Sequence, residues 1–541
     1  MRHHRFIHVI AIFALLSMCV PARAAETQQV RPFFIDQIKL NKVKTRVPAK
    51  KMIKVALIDT GVDSTHPDLT EMLIEGKNML KPGMIPQDDN GHGTNVAGIV
   101  MEIVSKRITD VGNNAVKIMP IKALGSDGFG DEDVMGDAIL YAVKNKANII
   151  LMSLGLYDYS RYLADVITYA KSQNVLMIAA SGNEGEDVMY PAAFPEVVAV
   201  GGVDEDNQIV GRSNYGGQLD LVAPWSVYTT QLNGGYTLNQ GSSMAAPQVA
   251  AIAALFWSAH PETNAEDVRK QLIQNTEDLA DRGWDAQTGY GMLRADKVLT
   301  NITTKDGYEP NDVLSFAQRI PFEKPIFARL DRLFDRDWYK LLIKEKGLLN
   351  VSLKTKSNLR WYFVSPSKKW GPYQGSATIL IPITPKEMRF SIQAEEMKSS
   401  STLFKPMEYE LNASFQVTAD NFEPNGEPEK AYTLPLKTQQ INGNFHEASD
   451  RDWFEIKAEK EGLLTIQAHP FSARSDIVIL YKRKEDKANT LDSGAAGEDE
   501  VSPPIWLSPG VYLINVENVL KNTPTTGYQL TITWTEKRRE S

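Results

Sequence analysis

Three polar residues, in three separate stretches, have the side-chain types that covalent hydrolysis needs. Ser243 lies in Gly241-Ser242-Ser243-Met244-Ala245-Ala246-Pro247, just ahead of the run Val249 to Trp257. That run is apolar on every face and reads as a helix buried all round. Pro247 is expected in the helix's first turn, where its missing N–H costs nothing. Ser243 then stands at a helix N-terminus, where unpaired N–H groups and the helix dipole favour developing negative charge. A hydroxyl held there suits nucleophilic catalysis if a base can take its proton; without one it is an N-cap serine. His92 sits in the polar turn Asp88-Asp89-Asn90-Gly91-His92-Gly93-Thr94, just before an apolar helix from Val96 to Val104. Asp59 opens Asp59-Thr60-Gly61 at the end of the apolar run Ile53 to Ile58. Taken singly, these are a turn histidine and a strand-end aspartate.

The elements around these residues alternate. Val116 to Leu124, Asn148 to Leu154, Val175 to Ala180 and Val197 to Val203 read as strands. Between them, Met135, Ala138, Ile139, Ala142 and Val143, and then Leu163, Val166, Ile167 and Ala170, have helical spacing. Such alternation predicts an α/β domain, a parallel sheet with helices on both faces. In these sheets functional groups collect at the carboxyl ends of strands, where the pattern puts Asp59 and Asn183.

Beyond residue 302 the pattern becomes two-fold, as in Leu349, Val351, Leu353 and in Tyr409, Leu411, Ala413, Phe415, Val417. The second half of this region repeats the first. Glu309-Pro310-Asn311 returns as Glu423-Pro424-Asn425, and Asp335-Arg336-Asp337-Trp338-Tyr339 as Asp450-Arg451-Asp452-Trp453-Phe454. Two small all-β sandwiches in tandem are expected, over 308–417 and 421–536, after the α/β domain over 25–302.

The 541-residue chain carries a formal charge of −8 and no basic patch, which argues against nucleic acid as a partner. Arg2 and Arg5, the apolar run Phe6 to Val20 and Ala22-Arg23-Ala24 form a signal-peptide pattern over residues 1–24. Secretion, to the periplasm or the medium, is therefore expected. No integral membrane segment is expected in the mature chain. Cys19 is the only cysteine and lies inside that segment, so no disulfides are expected.

Together the stretches resemble the subtilisin-like serine proteases, the subtilases. The matching pieces are Val55 to Asp63 with His66-Pro67-Asp68-Leu69, Asn90 to Gly98, Gly241 to Pro247, and Ala179-Ala180-Ser181-Gly182-Asn183-Glu184-Gly185. The chain order Asp59, His92, Ser243 is also the one found in subtilisin. The resemblance covers roughly residues 50 to 300 and implies a subtilisin-like fold and peptide-bond hydrolysis. Ser243 would attack the carbonyl, neutral His92 would take the proton and later give it to the leaving amine, and Asp59 would orient the imidazole. Asn183 and the Ser243 N–H would meet the oxyanion; in subtilisin itself, loss of the equivalent donor costs about 10²–10³ in turnover. The resemblance further implies an extended substrate paired with Leu124, Gly125 and Ser126 on one side and Ser153, Leu154 and Gly155 on the other. Protein or peptide segments would be the substrates.

The sequence also departs from the family pattern. Ser242 replaces a threonine, Asn95 a histidine, Trp225 a glycine, and Leu156 a second glycine, the last bearing on the depth of the pocket for the residue before the cut bond. No cofactor is implied. The family's calcium loop is not recognisable in Ser105 to Val116, so no metal is assigned, although structural calcium fits the family. Fewer than 30 residues separate the signal segment from the first strand, too few for an inhibitor-like prosegment. The tandem sandwiches resemble bacterial pre-peptidase C-terminal domains, which implies binding of substrate or surface polymers. Their paired aspartates, Asp335 with Asp337 and Asp450 with Asp452, are expected to be solvated turn carboxylates, with calcium binding as the alternative. Two rival readings stand beside this one: an aspartic protease built on Asp59-Thr60-Gly61 and Asp492-Ser493-Gly494, and a catalytically inert, subtilase-like surface-binding protein.

Overall fold

The computed structural model describes residues 9–11, 33–44, 47–105, 115–157, 159–280, 283–300, 308–309, 311–331, 335–343, 346–384, 386–394, 406–446, 450–471, 477–484, 486–491, 498–518 and 526–537. Most of the predicted signal segment, most of the loop between Ser105 and Val116, and Asp492-Ser493-Gly494 lie outside them. Of the signal segment only Val9–Ala11 is described, as a short strand antiparallel to Phe129–Asp131.

Two compact units make up the chain. One comprises Met1–Leu341, Ser352–Ala377 and Met388–Ala413; the other comprises Leu342–Val351, Thr378–Glu387 and Ser414–Ser541. The first unit is built on a seven-stranded parallel sheet. Its strands are β1 (Ile53–Asp59), β2 (Lys77–Asn78), β3 (Val116–Lys122), β4 (Ile149–Met152), β5 (Leu176–Ala180), β6 (Val197–Val203) and β7 (Leu221–Pro224), in the order β2-β3-β1-β4-β5-β6-β7. Every described pairing in it is parallel.

Burial on both faces explains why the central strands are mainly apolar. Val55, Leu57, Ile118, Ile149, Leu151 and Ile178 face one core, shared with helices α1 (His92–Ser105) and α4 (Ser242–Ala259). Ala56, Ile58, Met119, Ile150, Met152 and Ala179 face the other, shared with α2 (Glu132–Lys144) and α3 (Arg161–Ser172). A strand buried on both faces cannot show a polar alternation, so it reads as a continuous apolar run. The expected α/β architecture with helices on both faces is the observed one.

Among the described residues beyond 308, a five-stranded sheet runs in the order Gln318–Arg319, Arg336–Ile343, Lys386–Ala394, Arg360–Val364, Lys369–Gln374. Ile326–Leu330 pairs antiparallel with Met407–Leu411. In the second unit, Arg451–Ala458, Gly510–Asn518 and Ile477–Arg483 form the middle of another five-stranded sheet. A further sheet is centred on Thr526–Glu536, between Gln439–Phe445 and Gly462–Pro470. These two sheets close over one core that includes Phe454, Ile456, Ile466, Ile514, Leu530 and Ile532. The C-terminal region is thus all-β, as the two-fold pattern predicts.

The aspartates of the repeat depart from expectation. Asp337 and Asp452 are fully buried and Asp335 nearly so, not solvated. Each of the two deeper carboxylates accepts a tyrosine hydroxyl, from Tyr409 to Asp337 and from Tyr528 to Asp452, the latter at 2.6 Å. Burial pushes Asp452 well above the usual carboxylate range, and Asp450, Asp420 and Glu423 push the same way. Their place at the start of a strand, one residue before an aromatic, draws them into the sandwich interior.

Candidate active site

Asp59 ends β1, the strand that lies between β3 and β4, where the chain switches from one side of the sheet to the other. Open α/β sheets form their functional crevice at such a point. The Asp59 carboxylate is fully buried and accepts the Thr60 N–H at 2.7 Å. His92 is the first residue of α1, one turn earlier than the apolar pattern alone places the helix. Its Nδ1 lies 2.8 Å from Asp59 Oδ1 and 3.0 Å from Oδ2.

A polar network that sequence reasoning passed over as a turn fixes both. Asp88 accepts N–H bonds from Asn90, Gly91 and Thr94 at 3.0, 2.9 and 2.9 Å, and hydroxyl bonds from Thr60 and Thr94 at 2.8 and 2.5 Å. The Gly93 N–H in turn donates to the Thr60 hydroxyl at 3.0 Å. Gly93 has to be glycine: a Cβ there would lie 2.0 Å from the Gly61 carbonyl oxygen. The buried Lys122 ammonium donates to the carbonyls of Thr60 and Leu124 and to Asp89, at 2.6, 2.9 and 2.6 Å. The strand-to-helix crossing that carries Asp59 and His92 is therefore rigid on both sides.

Burial opposes a charged His92, yet the Asp59 carboxylate beside it, their hydrogen bond and the nearby Asp88 together raise its pKa above the ordinary histidine value of 6.5. The Nε2 atom is buried and has no hydrogen-bond partner.

Ser243 is the second residue of α4. Pro247 is not in the first turn, as expected, but is the helix's sixth residue. A proline there removes the N–H that would bond to the carbonyl four residues back. That carbonyl belongs to Ser243, and the Ser153 hydroxyl takes it instead, at 3.1 Å. The Ser243 hydroxyl returns a bond to the Ser153 carbonyl at 3.2 Å, so in this structure it is not bonded to His92. Asn183 is buried, and its Oδ1 accepts the Ser242 N–H at 2.9 Å and the Ser242 hydroxyl at 2.7 Å. The hydroxyl that Ser242 shares with threonine is what anchors it.

On the expected substrate edge, some main-chain groups bond within the protein. At Leu124 and Gly125 the main chain is already used: Leu124 N–H bonds Asp59 O, and Gly125 N–H bonds Phe129 O. The Gly125 carbonyl accepts from Gly128, the Leu124 carbonyl from Lys122, and the Ser126 carbonyl from Asn90. A turn folding back on itself makes these bonds, and Phe129–Asp131 is the segment of this loop that pairs with another strand. Ser153, by contrast, lies against Ser243, with Leu154 and Gly155 following it.

Among the described residues, two groups of side chains outside this site bring metal-type ligand atoms, in each group, within 4.8 Å of one another: Glu309, Asp335 and Asp337, and Glu423, His446 and Asp450. They occupy related places in the repeat. Burial, with Asp312 and Glu309 beside it, pushes Asp335 up to about 6.

The chain is similar to known serine proteases. The subtilase family model matches residues 50–291. Subtilisin DY of Bacillus licheniformis is 35% identical over 260 residues, covering 47% of this chain and 94% of that protein. Minor extracellular protease Epr of Bacillus subtilis (strain 168) is 38% identical over 248 residues, 45% of this chain and 38% of Epr. The thermophilic serine proteinase of Bacillus sp. (strain AK1) is 35% identical over 251 residues, and the chain spans 61% of its length. A crystal structure of a lanthipeptide protease is 29% identical, with a TM-score of 0.45, over 50% of this chain and 92% of that one. The chain belongs to the subtilase family.

Proposed function

We propose that this protein is a secreted serine endopeptidase acting through Asp59, His92 and Ser243, with Asn183 and the Ser243 N–H receiving the oxyanion. The observation that carries the reading is the Asp59–His92 pair at 2.8 and 3.0 Å, with an unpartnered Nε2 on the imidazole's far side. Such a pair holds the tautomer that leaves Nε2 free to accept a proton. A rotation about the Ser243 Cα–Cβ bond frees the hydroxyl from Ser153, and hydrogen bonds of this kind commonly tighten only once substrate is bound. With Oδ1 of Asn183 held by Ser242, its amide nitrogen is the end left to meet a developing oxyanion. The helix N-terminus beneath Ser243 favours the same charge.

Proteins and peptides in extended form are the substrates, bound mainly through their backbone. The mature enzyme begins near Ala25, carries its peptidase domain to about residue 302, and ends in two β-sandwich modules over 308–417 and 421–536 that contact substrate or surface polymers. No helix among the described residues is long and apolar enough to cross a membrane.

Casein hydrolysis by the secreted chain tests the class of enzyme. A serine-directed phosphonate is expected to abolish it and pepstatin to leave it untouched; the reverse pattern would restore the aspartic-protease reading. The pH dependence tests His92. Because its pKa is raised, the imidazolium persists to higher pH, and only the neutral form accepts the Ser243 proton. The acid limb of kcat/KM is therefore expected above pH 6.5, and Asp59→Asn, which removes the charge holding it there, should move that limb downward. An activity flat down to pH 4 would exclude His92 as the base.

A further inference from the structure

We infer that Met189 sets the specificity of this site by filling the space meant for the side chain before the cut bond, so that cleavage follows glycine, alanine or serine. The inference rests on the reading of Ser243 as nucleophile and Asn183 as oxyanion donor. With an acyl carbon at the Ser243 hydroxyl and its oxygen turned to Asn183, two backbone segments bound the reacting residue. The segment 153–155 is tied to Ser243 through the Ser153 hydroxyl at 3.1 Å. The segment 181–183 is tied to Ser242 through the Gly182 N–H at 3.1 Å. Each contributes a glycine to the space between them, Gly155 and Gly182, and a side chain of the substrate is the natural occupant of a gap walled by two glycines.

Here the gap is taken. A Cβ on Gly155 would lie 3.1 Å from both Cβ and Sδ of Met189 and 3.3 Å from its Cε; one on Gly182 would lie 2.9 Å from the same sulfur. The thioether therefore touches both walls at once. Met189 is 2% exposed, and its backbone is fixed by its N–H to the Ser181 carbonyl at 2.9 Å and its carbonyl to the Ala193 N–H at 2.8 Å. Behind it, Leu156 and Tyr190 close the space with a reciprocal pair of main-chain bonds at 2.8 and 2.9 Å. The residue cannot slide out along the chain; it can only change rotamer. A methionine yields more readily than a branched side chain, so exclusion of larger residues is graded, not absolute. One methylene in an apolar pocket is worth about 10–200-fold in discrimination.

The test uses the mature chain and four chromogenic peptides identical except for Gly, Ala, Leu or Phe before the scissile bond. Wild type is expected to cleave the Ala peptide at least tenfold better than the Phe peptide, by kcat/KM, and Met189→Gly to raise the Phe/Ala ratio at least tenfold. Sequencing the ends released from an unfolded protein by wild type gives a second measure that needs no variant: small residues should dominate before the cut. Wild type that prefers Leu or Phe, or a Met189→Gly enzyme with an unchanged Phe/Ala ratio, overturns the assignment while leaving the protease reading intact. Absence of any Ser243-dependent cleavage overturns both.

Discussion

Ser243→Ala is expected to lower kcat on casein or a chromogenic peptide by roughly 10⁶-fold, a magnitude carried over from subtilisin, a member of the same family. The physical reason is that the variant has no hydroxyl at position 243 to form the acyl intermediate. What remains is the rate that oxyanion donors and binding alone provide, roughly 10³–10⁴ over water. KM should change little, because the lost hydroxyl bonds Ser153, not the substrate. Only the long 3.2 Å bond to Ser153 goes with it, so the fold should survive. His92→Ala should cost nearly as much, and the double variant little more, since the two act as one unit. Steady-state kinetics on purified variants checks this. A Ser243→Ala enzyme within tenfold of wild type would leave an inert scaffold or a different nucleophile.

The second large effect is on stability. Asp220 is 1% exposed and bonds two buried cations, Arg269 at 3.2 Å and Lys324 at 2.6 Å. Lys324 comes from the segment after residue 308, and its ammonium also donates to the Val197 carbonyl at 2.7 Å, on the parallel sheet. Asp220→Ala should destabilise the protein by about 3–5 kcal/mol, because it strands two charges without a counter-ion. Lys324 already has its pKa pushed down to about 8, by burial first and by Arg269 as well, with Asp220 opposing. Its folded pKa lies below its unfolded one, so the unfolded chain binds more protons between about pH 8 and pH 10, and stability rises with pH across that window. Removing Asp220 deepens this burden. The deficit should be larger at pH 7 than at pH 10, where Lys324 is neutral in the folded wild type and the folded variant alike. Urea midpoints at the two pH values measure it. A loss under 1 kcal/mol at pH 7, or one that grows with pH, would contradict the role assigned to this buried triad.

The sequence carried the site's actors but not their supports. Asp59, His92, Asn183 and Ser243 each sit in a short stretch whose glycines and flanking apolar runs give them away. The boundaries of β1 and β6 follow from the same runs, whereas α4 begins at Ser242, well ahead of its apolar run. Asp88 was visible only as one residue of a polar turn, since its partner Thr60 lies 28 positions away. Arg269 and Lys324 stand 49 and 104 residues from Asp220, and nothing local marks either as buried. The link from Lys324 to Val197 and Asp220 is one that the break in periodicity near residue 302 does not record. The internal bonds of the 124–126 turn were illegible for a related reason: how a loop's main chain folds back is something spacing does not record. Pro247 shows the reverse case, a residue placed by a local rule and then accommodated by a distant hydroxyl on Ser153.

Covalent labelling with a fluorophosphonate, followed by peptide mass spectrometry, tests the central claim most directly. A single adduct on the peptide carrying Ser243, formed fast in the native chain and lost on unfolding or in His92→Ala, is the predicted result. An unlabelled Ser243 in properly folded protein, or an adduct on another serine, would contradict it.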